Sequence, residues 1–173
     1  MPKTTKDTMN EPNQNSADDN IQEMLEFILN VPLFENLSRK ALKIVATHMR
    51  FVELACGETL FNEWERADFM CFIESGALDV MQKTGPDSYS VIRKLKRGRS
   101  LGEMSIIDNY PHKSTVCAGE DTRIAVFTQE HFEMILQQYP AIGIDILKSL
   151  SRFLSVQFKK VASRLFDYML CID

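Results

Sequence analysis

Residues Asp68–Gln82 read DFMCFIESGALDVMQ: an aromatic and β-branched run, a Ser75-Gly76 turn, and a second apolar run. That is the pattern of a strand, a turn and another strand. The same grammar extends outward from it. From Phe51 to Phe127, short runs rich in strand formers alternate with turns at Gly57, Gly76, Gly85, Gly98 and Gly119. TGPDS (Thr84–Ser88) reads as a hairpin tip. STVCA (Ser114–Ala118) and TRIAVF (Thr122–Phe127) read as two further strands joined through GEDT. Many short strands with regular turns predict a sandwich or jelly roll rather than a parallel sheet.

Helical signals flank this region. Ile21, Met24, Leu25, Ile28 and Leu29 recur at 3–4 spacing until Pro32 stops the pattern. Ser38 is a good N-cap for a helix that puts Leu42, Val45, Ala46 and Met49 on one face. Thr128 caps QEHFEMILQQYP (Gln129–Pro140), and a longer helix is expected from Ala141 to near the C-terminus. The polar segment 1–19 reads as a disordered tail. The expected organisation is therefore tail 1–19, helices and β-roll 20–140, and terminal helix 141–173. The fold class is α+β: an antiparallel β-roll, or double-stranded jelly roll, flanked by N-terminal helices and one long C-terminal helix.

Composition narrows the function classes. A chain of 173 residues with 45% apolar content suits one domain with a real core. A net charge of −4 gives no support for non-specific nucleic-acid binding. No apolar run approaches the roughly 20 residues of a membrane span, and the N-terminus has no signal-peptide core, so the expectation is a cytoplasmic protein that does not engage a membrane. Cys56, Cys71, Cys117 and Cys171 make no CxxC pair and read as reduced, packed thiols. The histidines His48, His112 and His131 are scattered, so no metal is expected. No nucleophile elbow or phosphate-binding Gly-rich motif appears, so no catalytic residue and no enzymatic activity are expected.

The order and spacing of four segments resemble the cyclic nucleotide-binding domain family, the sensor module of the catabolite activator protein and of protein kinase A regulatory subunits. They are VPLFENLSRKALKIVA (Val31–Ala46), LACGETLFNE (Leu54–Glu63), CFIESGALDV (Cys71–Val80) and LKRGRSLGEMSIID (Leu95–Asp108). The resemblance covers residues 21 to 165. It implies that Gly102-Glu103 open a phosphate-binding cassette, with Glu103 accepting a hydrogen bond from a ribose hydroxyl. It also implies a short helix over Met104, Ser105, Ile106 and Ile107 whose first N–H groups face a cyclic phosphate, as helix starts favour anions. The family continues Pro-Arg-small-small-Thr. Here the segment is Pro111-His112-Lys113-Ser114-Thr115.

The histidine matters energetically. Leaving a buried charge without its partner costs about 3–5 kcal/mol, and 1.4 kcal/mol is tenfold in affinity, so loss of the arginine weakens binding by about two to three orders of magnitude. Two substitutes are open: a protonated His112, or Lys113 turned inward, although in an extended segment Lys113 points to the opposite face. The resemblance implies a regulatory sensor that binds cAMP, cGMP or another small phosphate-containing effector weakly. The alternative is a degenerate pocket on a protein-interaction or scaffold module, with a protein partner the sequence does not specify.

RKLKRGR (Arg93–Arg99) holds five basic residues in seven; it could meet phosphate or nucleic acid, and it reads better as a solvated hairpin edge protected from aggregation. In the last helix Leu147, Ser151, Leu154, Phe158, Val161, Leu165, Tyr168 and Ile172 follow a 4-3-4-3 spacing. This seam predicts a homodimer, with Leu147, Leu154, Phe158, Val161 and Leu165 buried in it; the alternative is that the stripe packs on the β-roll of its own chain. The resemblance adds Ser151 and Ser155 as contacts for the nucleotide base. The chain given ends in or just after this helix, so no DNA-reading element, and hence no DNA binding by this chain, is expected.

Overall fold

A computed structural model describes residues 14–85, 88–108 and 110–170. Helix α1 spans Gln14–Ile28, a 3-10 turn Pro32–Phe34, and α2 Arg39–Ala46. Eight strands follow: β1 Met49–Leu54, β2 Thr59–Phe61, β3 Phe69–Ser75, β4 Ala77–Lys83, β5 Tyr89–Lys96, β6 Ser100–Leu101, β7 Thr115–Ala118 and β8 Thr122–Thr128. The one-turn helix α3 (Ser105–Asp108) sits between β6 and β7, and α4 (Gln129–Gln138) and α5 (Pro140–Leu170) close the chain. The two expected caps form: Ser38 Oγ and Thr128 Oγ1 each accept from a backbone N–H at 3.2 Å. One boundary differs. Helix α1 begins at Gln14, inside the segment read as a tail, and residues 1–13 lie outside the described residues.

The strands form two antiparallel four-stranded sheets, ordered β1-β8-β3-β6 and β2-β7-β4-β5. The run DFMCFIESGALDVMQ thus contains a corner: β3 and β4 belong to opposite sheets. Gly76 makes the corner with φ +79°, and a Cβ there would lie 2.4 Å from the Asp121 carbonyl oxygen. Only glycine takes that backbone conformation at so close an approach.

Burial explains why β3 reads as a continuous apolar run. Cys71 and Ile73 pack between the sheets with Leu78, Ile124 and Val126. Met70 and Phe72 face the other way, joining Ala125 and Phe127 in a core with Phe34, Phe132, Ile146 and Leu150 from the helices. A strand covered on both faces loses its polar alternation. Cys71 is packed as expected, with its thiol pushed well up by burial, whereas Cys56 is exposed; Cys171 lies outside the described residues. Among the described residues no helix is long and apolar enough to cross a membrane, and no group of His, Cys, Asp or Glu could hold a metal.

Candidate functional site

The cassette is fixed to β3 from its first residue. Gly102 has φ +85°, and a Cβ there would stand 2.5 Å from the Phe69 carbonyl oxygen. Next to it the Glu103 carboxylate accepts a hydrogen bond from Ser100 Oγ. The turn then tightens, with Ser105 N–H bonded to the Gly102 carbonyl at 3.0 Å. The short helix starts at Ser105, one residue later than the resemblance implies.

A cavity of about 530 Å³ lies beside this turn. Its apolar wall includes Leu33, Met70, Phe72, Val80, Leu95 and Leu101, and its polar groups include Ser100, Glu103, Arg93, Arg99 and Gln157. Helix α5 closes one side with Phe153, Leu154, Gln157 and Val161. Size and lining suit a small organic ligand fixed by a few polar contacts. A second cavity of about 360 Å³ shares Val31, Phe72 and Gly98 with it, but carries Glu23, Glu26 and Glu74, which disfavour an anion.

Of the cassette residues singled out from sequence, Glu103 and Met104 line the larger cavity. His112 does not. Its ring stacks on Phe61 with centroids 3.7 Å apart, and its Nε2 lies 3.3 Å from Ser105 Oγ, so Ser105 is also turned away. Burial pushes the imidazole below the ordinary histidine range, outweighing the nearby Glu65 charge and a hydrogen bond with the Ala67 backbone. The ring is thus stacked on Phe61, off the cavity wall, with its charged form disfavoured. Lys113 is exposed, its ammonium 5.8 Å from the Tyr110 ring centroid. Thr115 is buried and accepts from Glu63 N–H at 3.1 Å; Ser114 is half-buried and does not line the cavity.

The two serines named as base contacts lie on the exposed surface of α5. Ser151 donates to the Leu147 carbonyl at 2.8 Å, Ser155 is exposed, and neither lines the cavity. The α5 side chains that reach it are Phe153, Leu154, Gln157 and Val161. Of the seam residues, Leu147 packs on its own domain's core, Leu154 and Val161 line the cavity, and Phe158, Val161 and Leu165 are largely exposed. Arg93 and Arg99, read from sequence as part of a solvated edge, line the cavity. Strand β5 is indeed an edge strand. The available sequence signal was the alternation Arg93, Leu95 beside a buried partner strand.

Because partial burial of His112 disfavours its charged form, the sign of its effect on folding is determined. The unfolded chain, with an ordinary histidine pKa near about 6.5, binds more protons than the folded one just below that pH. Stability therefore falls as pH drops through this window. We expect the melting temperature to decline between pH 7.5 and 5.5, and His112→Phe, which keeps a ring on Phe61, to flatten the slope. An unchanged slope in the variant would place the acid sensitivity in other groups.

A family model described as the cyclic nucleotide-binding domain matches residues 51–139. The cAMP-dependent protein kinase regulatory subunit of Mycosarcoma maydis is 30% identical over 122 residues, covering 69% of this chain and 23% of that protein. The chain thus spans about a quarter of this relative's length. A cyclic nucleotide-binding domain from Methylobacillus flagellatus has the same fold, with TM-score 0.72 and 24% identity over 88% of this chain and 85% of that one. The regulatory subunit of a cAMP-independent protein kinase A from Trypanosoma brucei superposes with TM-score 0.63 and 23% identity, over 79% of this chain and 49% of that one.

Proposed function

Since the chain belongs to the cyclic nucleotide-binding domain family, we propose that it is a regulatory sensor whose effector is cAMP, cGMP or a related small phosphate-containing molecule. The observation that carries this reading is the cavity between the Gly102-Glu103 turn, the β-roll and α5. Glu103 stands where the family's hydroxyl-binding glutamate does, and its bond to Ser100 holds it in place. With no cation at position 112 facing the cavity, binding is weak. In the same reading the exposed strip of α5 pairs two copies of the chain, and the sensor works in the cytoplasm. The family's role is regulatory, and no catalytic step is assigned to the chain.

Calorimetry with cAMP and cGMP tests the proposal. Saturable binding is expected, and Leu101→Trp, which fills the cavity from its floor, should abolish it while the melting transition persists. One observation favours a second reading, a scaffold module without nucleotide: His112 is spent on Phe61 and Ser105. No binding at millimolar ligand would decide for that reading.

A further inference from the structure

Two guanidiniums line the cavity with nothing to pair them. Arg93 lies on β5 two residues before Leu95, in a strand exposed at every position except Leu95. Lys94, between them, faces outward and pairs with Asp79 at 3.6 Å. The β4–β5 register slips here: Val80 faces Arg93, Met81 faces Val91, and Ile92 is the extra residue. Such bulges re-aim side chains, and both Ile92 and Arg93 reach the cavity wall. Arg99 follows Gly98 (φ +79°), with its N–H bonded to the Lys96 carbonyl at 3.1 Å and its carbonyl accepting from Ile73 N–H at 2.9 Å. Its stem is therefore fixed while its head remains free. Among the described residues neither guanidinium has a hydrogen-bond or ion-pair partner. The cavity has a single acidic wall residue, Glu103, which Ser100 already engages.

We infer that the effector's phosphate is seated by Arg93 and Arg99, on the β5 side of the cavity, rather than by the cassette at position 112. This rests on the reading of the cavity as the site of a phosphate-containing effector. The physical grounds are charge and geometry. Both arginines are exposed and line the cavity, so each is free to turn to an anion held there. Guanidiniums suit phosphate because their planar donors bind two oxygens at once. The effector's apolar body then lies against Phe72, Leu101 and Leu154.

Two measurements separate this inference from the broader reading. In calorimetry with cAMP, Arg93→Ala and Arg99→Ala should each weaken binding tenfold or more, while Arg97→Ala, the same charge change outside this cavity, leaves it unaltered. Titration with inorganic phosphate alone, followed through the arginine Nε–Hε NMR signals, should move Arg93 and Arg99 saturably and leave Arg97 in place. Normal cAMP binding by the Arg93 and Arg99 variants, or equal weakening by Arg97→Ala, overturns the seat and leaves the sensor reading standing. Phosphate shifts without cAMP binding to the wild type would uphold the seat and remove the cyclic nucleotide. Absence of the phosphate shifts overturns the seat whatever cAMP does.

Discussion

Phe158→Glu should convert a twofold dimer into monomers while the β-roll stays folded. Past Leu154, helix α5 still reaches the cavity with Gln157 and Val161, but most of its surface is exposed. Phe158 is 75% exposed, Val161 64%, Leu165 59% and Tyr168 69%, at a 3–4 spacing that puts them on one stripe. Monomers rarely leave so long an apolar strip in water. A self-complementary stripe closes with a single twofold rotation, which brings the two copies of each central residue near the axis. A glutamate at 158 would then face its own copy in a desolvated seam. Sedimentation at tens of micromolar should show the wild-type dimer and the variant monomer, with unchanged circular dichroism from the strands. A monomeric wild type at that concentration would remove the seam from the molecule's assembly.

Gly76→Ala should cost about 3 kcal/mol or more, from roughly 1–2 kcal/mol of left-handed backbone strain plus about 1–3 kcal/mol of overpacking. The corner has no slack. Besides the Asp121 carbonyl, the new methyl would stand 2.7 Å from Thr122 Cα. Thr122 Oγ1 itself accepts from Ala77 N–H and lies 3.0 Å from the Ala77 carbonyl, so it clamps the same turn from the other side. Gly57→Ala is the matched control: φ is +84°, yet nothing lies within 4 Å of the added carbon. A domain of this size loses about 2–4 °C per kcal/mol, so Gly76→Ala should melt roughly 10 °C lower and Gly57→Ala only a few degrees lower. Equal melting of the two variants would show that the close approach at the corner carries no cost.

Local signals made most elements legible in the sequence. The caps at Ser38 and Thr128, the stop at Pro32 and the glycine turns each act within a few residues, and the structure has them where the pattern says. What reads poorly is anything decided across the molecule. Ser75-Gly76 is a turn by composition, but whether it folds a strand back on its neighbour or carries the chain to a second sheet depends on Asp121 and Thr122, far along the chain. Helical spacing identified the stripe on α5, yet spacing cannot say where the domain ends beneath it. Leu147 and Leu154 therefore belong to the core and the cavity, and Phe158 and Leu165 are largely exposed. The exposure of the serines at 151 and 155 was hidden for the same reason: the rotation of α5 is set by Ile146 and Leu150, which are fully buried. For the cassette, Gly102 and Glu103 were visible as a motif. The fate of His112 depended on Phe61, a residue from another strand whose ring it covers.

The ladders of the roll also set a clock. Strand β1 pairs along its whole length with β8, Met49 against Phe127, and β2 pairs with β7, Thr59 against Cys117. Each sheet therefore needs its last-made strand as the neighbour of its first. Pairings of such long range close large loops before any contact rewards them, and domains of this kind fold in about milliseconds to seconds rather than microseconds. During synthesis β2 must wait for β7, which ends at Ala118, and β1 for β8, which ends at Thr128. In that interval the lysines and arginines of β5 keep a half-made sheet from joining the wrong chain.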